Sequence, residues 1–172
     1  KMRQEFEGAD YFKKMLIQSY AYKENEVVRD VKNNVKTNLE TYFRLNTCFS
    51  PKAKILRFGN DHGELDVLLA LQEPQRKIFS FIFDEEKRAI AKTNYIAGKR
   101  KITYLEKPEE VEANQFETVL ISEENLEIDL EKLASKSSQI VLIHNTALKN
   151  TILSFGFECV LDEDSISIFN KK

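Results

Sequence analysis

The sequence predicts an α/β fold: a doubly wound, mostly parallel sheet with helices on both faces, a C-terminal antiparallel hairpin, and two helices in front. Three observations carry this. After residue 51, short β-rich runs alternate with helical stretches in units of about 20 to 30 residues, as successive βα units do. Val119-Leu120-Ile121 and Ile140-Val141-Leu142-Ile143 are apolar on both faces, as central parallel strands are. The last two runs, Phe157 to Leu161 and Ser165 to Phe169, are joined only by Asp162-Glu163-Asp164. That link is too short for a crossover helix, so the pair must be antiparallel.

The elements follow in order. Tyr11, Phe12, Met15, Leu16 and Tyr20 recur at helical spacing. After a polar break at Lys23-Glu24-Asn25-Glu26, Val28, Val31, Val35, Leu39 and Tyr42 recur at steps of three and four. Each set is one buried stripe of an amphipathic helix. Pro51 punctuates the chain, so residues 1–50 form a helical extension and 51–172 an α/β domain, together one structural unit. Strands are expected at Lys54 to Phe58, Lys77 to Phe83, Lys101 to Leu105, Phe116 to Ser122 and Gln139 to His144. Helices are expected at Glu64 to Gln72, Glu85 to Ile96, Asp129 to Ser135 and Thr146 to Phe155.

Composition excludes several functions. The 172 residues carry 26 Lys+Arg against 28 Asp+Glu, a net charge of -2, without the basic excess of a nucleic-acid binder. No apolar run approaches the roughly 18 to 20 residues that span a bilayer, so no direct membrane insertion is expected. No secretory signal is visible, and a cytoplasmic location is expected. Cys48 and Cys159 lack C-x-x-C spacing and read as free thiols. His62 and His144 form no His/Cys cluster, so no metal site is expected. Five glycines are few, where an average composition gives roughly twelve. Positions where backbone can approach a ligand are correspondingly scarce. Gly8 and Gly98 are expected in loops, and Gly156 at the step into the hairpin.

One strand-turn-helix has a telling position: Ile55-Leu56-Arg57-Phe58-Gly59-Asn60-Asp61-His62-Gly63-Glu64-Leu65. In doubly wound folds ligands dock at the carboxyl end of the first strand, and the following helix N-terminus favours anionic groups. A tight βα turn with no ligand is the less favoured alternative for the two glycines.

The order of elements resembles a class I S-adenosylmethionine-dependent methyltransferase, a Rossmann-like family that opens with V-L-D-x-G-x-G-x-G. Asp84-Glu85-Glu86-Lys87 leads into Ala91 and Asn94 as in that family, and Gly156-Phe157 resembles its step into antiparallel last strands. The resemblance covers about residues 50 to 172. It implies Gly59, Asn60, Asp61, Gly63 and Asp84 as residual cofactor-binding positions, with S-adenosylmethionine as cofactor if the site is active.

The departures fall on the groups that hold that cofactor. Arg57 stands where the family has Asp, Asp61 replaces the middle glycine, and Ile82 aligns with the ribose-binding acid. S-adenosylmethionine carries a sulfonium and an ammonium, so Arg57 substitutes repulsion for attraction. A unit pair about 4 Å apart interacts by roughly 4 kcal/mol at an effective dielectric of 20. Ile82 cannot accept a ribose hydroxyl proton, and a hydrogen bond to a charged acceptor contributes about 1.5 to 3 kcal/mol. Asp61 puts a Cβ and a carboxylate where close approach needs bare backbone. Asp84, two positions beyond Ile82, either rescues the ribose contact or caps the helix beginning at Glu85, and the cap is preferred. Arg57 is also a candidate anion-binding residue, drawing an anion to the loop between Gly59 and Gly63.

Other groups suggest less. His62 and Asp66 are expected as a surface pair one helical turn apart. His144 ends an apolar strand, either as a base or as a satisfied strand-end residue. Glu123-Glu124 follow the fourth strand as an acidic turn or as substrate groups. No catalytic set is assembled by spacing.

The segment Asp10 to Lys23, with its Tyr20-Ala21-Tyr22-Lys23 element, is similar to the lead-in of a methyltransferase-like tail in large bacterial proteins. Those proteins join an exporter-like membrane portion to a glycerol-phosphate-type acyltransferase. Glu24-Asn25 stand where those relatives tend to carry Gly-Pro. The start at Lys1-Met2 reads as part of a longer protein. The expectation is a degenerate methyltransferase-like domain, without cofactor, that partners the other domains of a lipid acyltransferase-type parent and is tethered through it. An active divergent methyltransferase, or a site re-used for a small anionic ligand, are the alternatives. The two-helix extension is expected along the ligand edge of the sheet.

Overall fold

Ile55 and Arg57 point to one side of the first strand, Leu56 and Phe58 to the other, and this alternation divides the molecule into two layers. The computed structural model describes residues 2–107, 110, 116–122, 129–163 and 165–172. Two helices, α1 (Met2–Gln18) and α2 (Asn25–Asn46), precede β1 (Lys54–Gly59) and α3 (Glu64–Gln72). Then come β2 (Lys77–Ile82), α4 (Glu85–Lys92), α5 (Tyr95–Lys99) and β3 (Thr103–Tyr104). The chain ends with β4 (Phe116–Ile121), α6 (Leu130–Ser135), β5 (Ser137–Ile143), α7 (Lys149–Ser154), β6 (Phe157–Glu163) and β7 (Ile166–Lys171).

Among the described residues these strands form a seven-stranded sheet in the order β3-β2-β1-β4-β5-β7-β6. β1 to β5 run parallel, while β7 returns antiparallel against β5 and β6 against β7. This is a doubly wound α/β sheet closed by an antiparallel hairpin. Gly156, at φ 87, makes the left-handed turn that swings α7 into β6. Among the described residues, no helix is long and apolar enough to cross a membrane.

The two N-terminal helices are part of the core. Leu16 and Tyr20 follow α1's stripe, and Val31 and Val35 follow α2's; all are fully buried against Leu65 and Leu68 of α3 and Ile55, Leu120 and Val141 of the strands. The opposite layer packs Leu133 of α6 and Ile152 of α7 on Phe58, Phe81, Val119 and Leu142.

Three expectations need correction. The helix expected over Glu85 to Ile96 is two helices, broken at Thr93-Asn94. Asn94 is buried and caps α5: its side-chain oxygen accepts from the Ile96 and Ala97 amides at 2.9 and 3.1 Å. Its amide group donates to Ser19 Oγ at 2.9 Å, so the cap doubles as a tie to the end of α1. Gly8 lies in α1 and Gly98 in α5, not in loops. Both sit within the helical backbone.

Because α1 and α2 share their core with the sheet, Leu16→Ala is expected to cost about 2 to 5 kcal/mol. Urea unfolding followed by both fluorescence and circular dichroism should then remain a single transition. Two separated transitions would show the helices to be an independent unit.

Candidate functional site

The candidate site lies where the carboxyl ends of β1, β4 and β5 meet the loop between β1 and α3. Strand alternation aims Arg57 from β1 under the first turn of α3, where its side chain has no exposed surface. Its guanidinium is held from both sides. Nη1 and Nη2 donate to the two Asp61 oxygens, both at 2.8 Å. On the other side Nη2 donates to Asp66 Oδ2 at 2.8 Å, and Nε lies 2.7 Å from Asp66 Oδ1. Ser80, its register partner on β2, adds an oxygen at 3.2 Å from Nε. Such forked pairing suits a planar guanidinium and no other cation.

Gly59 and Gly63 are needed by this arrangement. A Cβ at Gly59 would lie 2.4 Å from Arg57 Nη1 and 2.6 Å from Ser122 Oγ. Arg57 is therefore packed onto the bare backbone at the end of β1. Gly63 has φ 89, and a Cβ there would meet Tyr104 Oη at 2.6 Å and Ala91 Cβ at 2.9 Å. Asp61 Oδ1 also accepts from the Gly63 amide at 2.8 Å, fixing the turn into α3.

The electrostatics follow from burial and this pairing. Burial alone would pull the Arg57 guanidinium toward neutrality, but Asp61 and Asp66 outweigh it and keep the group charged. Burial would likewise raise Asp61; the charge and hydrogen bonds of Arg57, with the Gly63 amide, hold it below the usual range. Glu64 goes the other way. Burial first, and then the negative charge of Asp61, push it well above the usual range. Its Oε1 accepts from the His62 amide at 2.7 Å. Burial, assisted by Lys87, lowers His62.

The structure brings the sequence-selected residues together unevenly. Asn60 is exposed; its side chain accepts from the Asp84 amide at 2.8 Å and its carbonyl from Lys87 Nζ at 3.1 Å. Asp84 is exposed and caps α4, accepting from the Lys87 amide at 3.0 Å. Ile82 is fully buried in register with Gly59, so the end of β2 offers no side-chain oxygen there. His62 and Asp66, expected as a surface pair, are both buried: Asp66 turns to Arg57, and the His62 carbonyl accepts from Tyr20 Oη at 2.7 Å. An anion at Arg57 would meet the two carboxylates already seated there. Glu123 and Glu124 lie outside the described residues.

Sequence reasoning missed two things. Arg57 and Asp61 are one feature rather than two departures, and opposite charges four residues apart were a visible signal. The polar row Asp30, Asn34, Asn38 and Tyr42, at steps of four along α2, lines a cavity over the strand ends. Asn38 Nδ2 donates to Asn34 Oδ1 at 2.7 Å, Tyr42 Oη to the same oxygen at 3.2 Å, and His144 Nε2 lies 2.9 Å from Asn38 Oδ1. His144 reaches across from the end of β5 with φ 52, a left-handed backbone uncommon among non-glycine residues but one that histidine adopts more readily than most. α2 therefore caps the ligand edge, as expected of the extension.

No family model and no curated protein matches the sequence. Solved structures do match the fold. Magnesium protoporphyrin IX methyltransferase of Synechocystis PCC 6803, with bound S-adenosylhomocysteine, superposes with a TM-score of 0.61 at 13% identity, over 90% of this chain and 91% of that one. Precorrin-6y C5,15-methyltransferase of Geobacter metallireducens gives 0.59 at 14%, over 78% and 89%. TrmK of M. capricolum, in complex with S-adenosylhomocysteine, gives 0.54 at 18%, over 77% and 68%. The chain thus has the Rossmann-like methyltransferase fold.

Two outcomes follow from the buried charges. Arg57→Met should cost about 3 to 5 kcal/mol in urea unfolding at neutral pH, because it strands the buried Asp66 and the partly buried Asp61. Adding Asp61→Asn and Asp66→Asn should recover most of that loss. The raised Glu64 carboxyl binds more protons in the native than in the unfolded state, so it lowers stability as pH rises above its ordinary 4.5. Glu64→Gln should therefore gain on the parent protein steadily from pH 4.5 upward. A constant difference across that range would show Glu64 to ionise normally.

Proposed function

We propose that this chain is a methyltransferase-fold module that does not bind S-adenosylmethionine and acts as an accessory or interaction module within a larger lipid acyltransferase-type protein. The observation that carries the reading is Arg57. Its guanidinium is packed on Gly59 and locked to Asp61, so the chain's own cation covers the backbone that the cofactor's cationic end would have to approach. Displacing it would expose Asp66 and Asp61 to desolvation without a partner, which costs several kcal/mol. A second support is the apolar Ile82 at the end of β2, where a ribose would look for an acceptor. Asp84, two positions on, is already engaged as the cap of α4.

The likeness to proteins solved with S-adenosylhomocysteine is a likeness of fold. In this reading the module stands on the cytoplasmic side, tethered through its parent, and acyl transfer belongs to other portions of that protein. Its contribution is the folded surface itself.

Calorimetric titration with S-adenosylmethionine and S-adenosylhomocysteine tests this. No heat of binding is expected for either up to about millimolar concentration. Micromolar binding of either would replace the reading with an active, divergent methyltransferase. The combined variant Arg57→Asp, Asp61→Gly, Asp66→Asn and Ile82→Asp is expected to gain measurable affinity. Asp66→Asn is included because removing Arg57 would otherwise leave Asp66 buried beside a second carboxylate. A folded variant that still binds nothing would count against the loop assignment.

A further inference from the structure

The cavity beneath α2 is bounded on one side by the glycine loop, through Asn60, Asp61 and His62, and on the other by the polar row of α2. Its volume is about 300 Å³, at the small end of the range for ligand pockets. Three carboxyl groups line it, from Asp30, Asp61 and Glu64, against one ammonium, Lys87. Lys87 already donates to the Asn60 carbonyl at 3.1 Å. That balance disfavours an anion. A cation gains less than that count suggests, because Asp61 is paired with Arg57 and burial favours the uncharged form of Glu64. An apolar ligand would strand the α2 amides, since Ile143 is the one aliphatic side chain among the described lining residues.

What the lining offers is a mixture of neutral donors and acceptors held in place. Tyr42 and Asn38 both donate to Asn34 Oδ1, which fixes the Asn34 amide and turns its Nδ2 away from that bond. Among the described residues the Asn34 Nδ2 hydrogens and the His62 ring nitrogens have no hydrogen-bond partner. Burial, assisted by Lys87, favours the neutral His62 ring, in which one nitrogen donates and the other accepts. Asp30, one turn before Asn34, adds an exposed acceptor. A hydroxyl group both gives and takes hydrogen bonds, so neighbouring hydroxyls match such a lining where a phosphate or an alkyl group does not.

We infer that the cavity between α2 and the carboxyl ends of β1, β4 and β5 binds a small uncharged polyol, with Asn34, His62 and Asp30 as its hydrogen-bonding groups. The inference goes beyond the accessory-module reading, and the polyol probes test it separately: their failure to bind leaves the S-adenosylmethionine result untouched.

Ligand-observed saturation-transfer spectroscopy and calorimetry on the intact chain provide the test, with glycerol and myo-inositol as neutral probes and glycerol 3-phosphate as the charged one. Saturable binding of at least one neutral probe is expected, with a dissociation constant on the order of millimolar. Tighter binding of myo-inositol would indicate a cyclic polyol, and tighter binding of glycerol an open-chain one. Glycerol 3-phosphate should bind about tenfold more weakly than glycerol. Asn34→Leu and Asp30→Leu should each weaken the preferred probe about fivefold. Asp30 is exposed, so its replacement leaves the core intact even if Asn34→Leu disturbs α2. Absence of saturable binding by both neutral probes, preference for the phosphate, or unchanged affinity in a folded Asp30→Leu protein would overturn the inference.

Discussion

A guanidinium without exposed surface has to be met by negative charge, and much of the molecule around the ligand edge is arranged to meet that of Arg57. The penalty for burying a full charge is large, and only close, well-aligned partners offset it. Asp66 can be one partner because α3 begins immediately after Gly63 and carries its first turn over β1. Asp61 can be the other because the loop doubles back four residues after the strand position it serves. Gly59 must lack a Cβ, since the guanidinium lies where one would be. Glu64, close to Asp61 and buried, then ionises only at extra cost, and its carboxyl is pushed well above the usual range. One strand residue thus bears on the charge state of the loop and on the need for glycine at position 59.

The same cluster explains how a fold can persist while its ordinary ligand site changes character. The sheet order, the cap at Asp84 and the hairpin depend on apolar burial and backbone pairing, which are indifferent to what occupies the loop. The loop depends on electrostatics at a few atoms. Cover from α2 adds a second layer, because Tyr20 from the end of α1 holds the His62 carbonyl and His144 holds Asn38. The edge is closed by hydrogen bonds between elements far apart in sequence, and the space that remains is polar and small.

The strands and most helices were legible because their signals are local: apolar runs for β4 and β5, helical spacing for α2, a three-residue link for the hairpin. Asn94 misled because an asparagine inside a helical pattern is unremarkable until Ser19, from the far end of the chain, arrives as its partner. His62 and Asp66 were read as a surface pair because spacing reports only which residues share a helix face. Their burial is decided by Arg57 and by α1 covering that face. The polar row of α2 was visible at steps of four, yet its meaning required the strand ends beneath it. In each case the sequence carried the local half of an interaction and the fold supplied the other half.

The buried trio also constrains history. Substitutions arrive one at a time, and each intermediate has to fold. Arginine placed in a loop without Asp61 would lean on Asp66 alone, and Asp61 without arginine would add a second carboxylate beside it. No member of the trio is neutral alone: each single replacement leaves an interior charge short of a partner. Once assembled, the cluster cannot be dismantled by single reversals without passing through a sequence carrying an uncompensated interior charge. The arrangement works as a ratchet: whatever brought the first of these residues in, selection on folding alone is enough to hold the set.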